Sequence, residues 1–88
     1  MHNKVAIITG ASSGIGRATA ILFVEAGAKV IAVGRNEKEL NLLRDKAPNK
    51  KGTLKVHLAD IREVSQVDRL VTETSENFGQ IDVLINAA

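Results

Sequence analysis

Val5-Ala6-Ile7-Ile8-Thr9-Gly10-Ala11-Ser12-Ser13-Gly14-Ile15-Gly16 decides how the rest of the chain is read. Lys4–Thr9 is apolar without alternation, as a parallel strand buried on both faces should be. The run from about Gly14 to Ala26 follows at helical spacing, so the glycines lie between a strand and a helix. Backbone N–H groups at a helix start have no intrahelical partner and sit at the positive end of the helix dipole. Such a turn can hold a diphosphate if no side chain blocks the approach. Gly10 is expected to permit the turn, Gly14 to let phosphates come close, and Gly16 to let the helix pack on the strand. Ile15 belongs to the same helix start. The Ser12 and Ser13 hydroxyls can donate to phosphate oxygens, although serine also simply suits a turn.

Outward from this loop, strand and helix patterns alternate. Ala18, Ile21, Leu22 and Val24 are expected to face the sheet from the first helix, with Gly27 as its left-handed cap. Lys29–Val33 is a second strand. Asn36 and Glu39 have capping-box spacing at the start of a second helix. Leu40, Leu43 and Ala47 give that helix its apolar stripe, and Pro48 ends it. Asn49–Thr53 is a polar loop in which Lys50-Lys51 is expected to be solvated. Leu54–Leu58 alternates and suits an edge strand. Val64, Val67, Leu70, Val71 and Phe78 mark a third helix capped by Gly79, and Ile81 with Val83–Ile85 a fourth strand.

The predicted fold is α/β: a Rossmann-like, three-layer parallel sheet, β-α-β-α-β-α-β. Right-handed crossovers give strand order 3-2-1-4, with the first two helices on one face and the third on the other. Apolar strand residues should lack cover near strands two and three. The fourth strand should be an unpaired edge, which favours association. The glycine loop, Arg35, Asp60 and Asn86 all fall at strand carboxyl ends, where such sheets bind ligands.

Composition narrows the function classes. The 88 residues hold no cysteine, which excludes disulfides, zinc-thiolate sites and thiol nucleophiles. A net charge of +2 comes from scattered Lys and Arg, and there is no Tyr or Trp for base stacking, so nucleic acid is an improbable partner. No apolar stretch approaches a membrane span and no signal segment opens the chain, so a cytoplasmic protein is expected. His2 and His57 stand apart from other ligands, and no metal site is expected. Asp82 is assigned to the turn entering strand four.

Thr9-Gly10-Ala11-Ser12-Ser13-Gly14-Ile15-Gly16, Leu58-Ala59-Asp60-Ile61 and Asp82-Val83-Leu84-Ile85-Asn86-Ala87-Ala88 together resemble the short-chain dehydrogenase/reductase family in order and spacing. The resemblance covers the whole chain but only the first part of that family's domain. Residues 1–88 are thus expected to be the N-terminal part of a single NAD(P)-binding domain, truncated after strand four.

By resemblance, the glycine loop would hold the cofactor's pyrophosphate and adenosine ribose. The Asp60 side chain would bond the adenine amino group, and Ile61 would offer a backbone contact. Asp60 is equally a favoured helix cap, and both roles could hold. Asn86 matches the first of two family asparagines. Ala87 replaces the second, so only backbone contacts could remain there. Where an acidic residue would select NAD, this chain has Gly34 and then Arg35, whose guanidinium suits a 2′-phosphate. NADP(H) is therefore favoured over NAD(H), although Ser13 stands where many NADP-preferring relatives carry Lys or Arg. A solvated surface Arg35 is the bland alternative.

The family transfers hydride between nicotinamide and a carbonyl or alcohol. Its proton comes from a tyrosine assisted by a lysine four residues later, with a serine orienting the substrate. This chain has no tyrosine, so no catalytic residue is assigned and the chain alone is expected to be inactive. The parent enzyme would take a small-molecule substrate and form a homo-oligomer. The alternative is a stand-alone dinucleotide-binding module without catalysis.

Overall fold

The computed structural model describes residues 1–12, 14–46 and 52–87. Four strands and three helices alternate: β1 (Val5–Thr9), α1 (Gly14–Glu25), β2 (Lys29–Gly34), α2 (Glu37–Lys46), β3 (Thr53–Leu58), α3 (Val64–Phe78) and β4 (Val83–Asn86). All strand pairs are parallel, in the order β3-β2-β1-β4. The Rossmann-like topology expected from right-handed crossovers is the one observed. Ser13, Pro48, the Lys50-Lys51 pair and the Ala47 end of the α2 stripe lie outside the described residues, as does Ala88.

Alternate strand residues feed two separate cores. On one face Ile8, Val30 and Ala32 pack with Ala20 and Val24 of α1 and Leu40 and Leu43 of α2. On the other, Ile7, Ile31 and Val33 pack with Leu70 of α3. β1 is buried at every position and β2 at every position after Lys29, because helices cover both faces there. β3 is an edge. Leu54 and Val56 join the first core, while Lys55 lies over the Phe78 ring with its Nζ 5.4 Å from the ring centre.

Two helix expectations are corrected. In α1 the buried stripe is Gly16, Ala20 and Val24, with Ile21 beside it, while Ala18 and Leu22 are exposed. The helix is apolar almost all round, so periodicity alone could not pick its inner face. The small residues at 16 and 20 let it approach the sheet. In α3, Leu70 and Thr74 are buried, whereas Val64 and Val71 face outward. Uncovered apolar surface falls partly where expected, at Leu58 of β3, which is 54% exposed, and partly elsewhere. β2 is sealed, and Leu84 of β4 is 66% exposed because α3 lies over β1 and β2.

Candidate functional site

The carboxyl ends of the strands are tied together by backbone bonds that extend the ladder by one step. The Ala11 N–H donates to the Val33 carbonyl (3.0 Å), Ala59 to Gly34 (2.9 Å) and Ala87 to Thr9 (3.2 Å). Each loop leaving this edge is thereby anchored on the neighbouring strand. The Thr9 hydroxyl adds a side-chain bond to Asn86 Oδ1 at 3.0 Å, joining β1 to its register partner on β4.

A cleft of about 590 Å³ opens along this edge, lined by Gly10, Ser12 and Ala87, by Gly34 at the end of β2 with Arg35 and Asn36 beyond it, and by Asp60, Ile61 and Arg62 after β3. Of the sequence-derived candidates, Gly10, Ser12, Arg35, Asp60, Ile61 and Ala87 line it together. Gly14, Ile15 and Gly16, which open α1, and Asn86, which ends β4, do not line it, and Ile15 is 81% exposed. Ser13 lies outside the described residues.

The glycines divide their roles. Gly14 has φ +59°, and a Cβ built there would meet nothing within 4 Å, so the space before the helix start is open. Gly16 is the reverse. A Cβ there would stand 2.2 Å from the Gly10 carbonyl oxygen. Its close approach is therefore to the glycine loop itself rather than to the body of the strand. Loop and helix fold back on each other with no room for a side chain.

Arg17, in the first turn of α1, holds this loop from behind. Its guanidinium donates to the Ser12 carbonyl (2.7 Å) and to the Glu39 carboxylate on α2. A cation at a helix N-terminus is unfavourable unless it has another partner, and that was the available signal in the sequence. Glu39 is consequently drawn away from the capping box. Asn36 Oδ1 still accepts the Glu39 N–H (3.0 Å), but only this half of the box is made.

Asp60 is not the cap of α3. The helix begins at Val64, its N-cap position is Glu63, and no side chain caps it. The Asp60 carboxylate instead closes on Arg62: Oδ1 accepts the Arg62 N–H and Nε, both at 3.0 Å, and Oδ2 accepts the guanidinium at 2.8 Å. These side-chain and backbone bonds hold the carboxyl down at about 2, against a smaller opposing effect of burial, and Arg35 lowers it further through space. The same pairing raises Arg62. Arg62 was missed by sequence reasoning, since a cation two residues beyond an aspartate carries no spacing signal. Among the described residues no ion pair takes up Arg35.

Gly10 and Ser12 of the glycine loop, a cation at the β2 end and an ionised acceptor at the β3 end line one cleft, a donor and acceptor set suited to a phosphorylated nucleotide. Among the described residues no cluster of His, Cys, Asp or Glu could hold a metal ion, and no helix is long and apolar enough to cross a membrane.

Comparison with known proteins gives the same picture. Residues 4–88 match the family model described as short chain dehydrogenase. An uncharacterized oxidoreductase of Staphylococcus saprophyticus is 39% identical over 89 residues, covering all of this chain and 38% of that protein. The crystal structure of a short chain dehydrogenase from Bacillus anthracis superposes with a TM-score of 0.90 at 35% identity, covering 97% of this chain and 34% of that one. A metagenomic short-chain oxidoreductase crystallised with NADP superposes with a TM-score of 0.89 at 28% identity, covering 96% and 38%. The chain thus spans less than two-fifths of the length of these relatives. With the matched model running from the first strand to the last residue, and the sheet order and glycine loop in agreement, the chain belongs to the short-chain dehydrogenase family.

Proposed function

We propose that this chain is the NADP(H)-binding portion of an oxidoreductase that transfers hydride between nicotinamide and a carbonyl or alcohol. The observation that carries this reading is one cleft that brings Gly10 and Ser12 of the glycine loop together with Gly34, Arg35 and Asp60. The N–H groups at the start of α1 would hold the diphosphate. Arg35 would fork onto the 2′-phosphate, which a carboxylate at position 34 would repel. Asp60 and Ile61 would meet the adenine, and Ala87 would offer its backbone to the nicotinamide-side ribose. The bound cofactor supplies the hydride. This chain's own residues bind and orient it, and with no tyrosine they offer no phenol as general acid. The 88 residues alone therefore bind without turnover, as the N-terminal part of one domain acting in the cytoplasm. The related structure crystallised with NADP supports the cofactor class.

Titration of the chain with NADPH and NADH, followed by nicotinamide fluorescence, tests this. NADPH should bind more tightly. Arg35→Ala should weaken NADPH binding about 10- to 100-fold, the worth of one charge-assisted hydrogen bond, and leave NADH nearly unchanged. Equal losses for both dinucleotides, or tighter binding of NADH by the unmutated chain, would refute the preference.

A further inference from the structure

We propose that Arg62 is a positioning residue for adenine recognition, holding the Asp60 carboxylate so that a single acceptor site on Oδ2 remains for an N–H donor in the cleft. The proposal rests on the dinucleotide reading above. A carboxylate oxygen has two acceptor sites. On Oδ1 both are taken, by the Arg62 backbone N–H and by its Nε, each at 3.0 Å. On Oδ2 the guanidinium Nη2 takes one at 2.8 Å, and Nε reaches it only as the longer arm of a shared bond, at 3.2 Å. One site is left. The backbone behind the carboxylate is fixed as well, because the Asp60 N–H donates to Gln66 Oε1 at 2.7 Å. The carboxylate can therefore neither rotate nor accept a second donor pair.

Sheet order fixes what meets it. The glycine loop follows β1, Arg35 follows β2, and Asp60 follows β3 at the sheet edge. A dinucleotide with its diphosphate on the loop and its 2′-phosphate on Arg35 brings its purine to Asp60. The donor that an adenine offers there is the 6-amino group. Being ionised, Asp60 accepts and cannot donate, so a purine with a carbonyl oxygen at that position would set one acceptor against another. The Arg62 side chain is 73% exposed, so its replacement opens no cavity.

The test compares NADPH with its hypoxanthine analogue, in which a carbonyl oxygen replaces the 6-amino group, by fluorescence titration. The unmutated chain should prefer NADPH about 10- to 100-fold. Arg62→Ala should reduce that ratio to less than about 5-fold, mainly by weakening NADPH. Arg62→Lys, with a point charge in place of a fork, should fall between. An unchanged ratio in Arg62→Ala, or equal weakening of both dinucleotides, would overturn the proposal, since a phosphate contact or a purely structural role would act on both alike. An unmutated chain that binds both dinucleotides equally would overturn it and leave the cleft reading standing. An unmutated chain that binds neither would overturn the cleft reading with it.

Discussion

Arg17 on α1 and Glu39 on α2 form an ion pair that joins the helix behind the glycine loop to the helix beginning after Arg35. The same guanidinium holds the Ser12 carbonyl, so the two walls of the cleft share one cation. The side chains are 30% and 36% exposed, and solvent screens the pair. A double-mutant cycle with Arg17→Gln and Glu39→Gln should give a coupling of about 0.5–1 kcal/mol by urea denaturation. It should shrink in 1 M salt. Zero coupling at low salt would mean that the pair does not join the helices in solution.

The two loop glycines should respond oppositely. At Gly16 a methyl group would fall 2.2 Å from the Gly10 carbonyl, so Gly16→Ala must displace backbone. A loss of about 1–3 kcal/mol is expected, as for other overpacked sites. Gly14→Ala meets no neighbour but keeps a left-handed φ of +59°, which costs an L-residue about 1–2 kcal/mol. What separates them is binding. Gly14→Ala places its methyl in the open space before the helix and should weaken NADPH binding beyond its effect on stability. Thermal melts beside fluorescence titrations would show this, and an undiminished affinity in Gly14→Ala would remove Gly14 from the site.

The architecture was legible because it is written in local pattern. Buried strands read as apolar runs, Gly27 and Gly79 cap helices with φ of +95° and +74°, and right-handed crossovers leave one sheet order. The cleft followed from that order. What the sequence hid was side-chain pairing. Arg17 and Arg62 drew no assignment and Asp82 read as a turn residue, yet each fixes a neighbour. Asp82 Oδ2 accepts the Val5 N–H at 2.8 Å, pinning β1 where the fourth strand begins. That bond, helped by Gln80 and Lys4 and opposed by burial, lowers the Asp82 carboxyl below its ordinary range. Such partners are set by where loops cross, which spacing along the chain does not encode.

Asp60 gives stability a defined acid dependence. Its folded value of about 2 lies below the usual carboxylate value of 3.8, chiefly through hydrogen bonds from Arg62. A depressed value contributes stability that is present above the unfolded value and lost as pH falls through the folded one. Unfolding free energy should therefore fall between about pH 4 and pH 2. Asp60→Asn should flatten that segment, as should Arg62→Ala to a lesser degree, since the Arg62 backbone N–H remains. A slope that both variants leave intact would assign the acid sensitivity elsewhere.

β4 is an edge strand whose central Leu84 is 66% exposed beside the buried Ile7 of β1. An apolar edge is a template for pairing with another chain. Leu84→Lys should reduce self-association in sedimentation experiments while leaving the melting temperature nearly unchanged. Association that persists at full strength would place the contact on another surface.

The last prediction concerns cofactor choice and how tightly it is tied to the phosphate loop. A Cβ at Gly34 would lie 3.2 Å from both Cβ and Oγ of Ser12, closer than most packed side chains allow. Gly34→Asp would thus do two things at once. Its carboxylate should repel a 2′-phosphate beside Arg35 and bond the ribose hydroxyls, moving preference from NADPH towards NADH. Its Cβ should also push Ser12, lowering stability by about 1 kcal/mol and blunting affinity for both dinucleotides. Removing the Ser12 side chain separates the two effects. Gly34→Asp with Ser12→Gly should keep the reversed preference and regain affinity lost by the single variant, because the crowding is gone. Parallel titrations with both dinucleotides would resolve this. A single variant that still prefers NADPH would contradict the selector role of position 34. A double variant no better than the single would show that Ser12 is not what limits it.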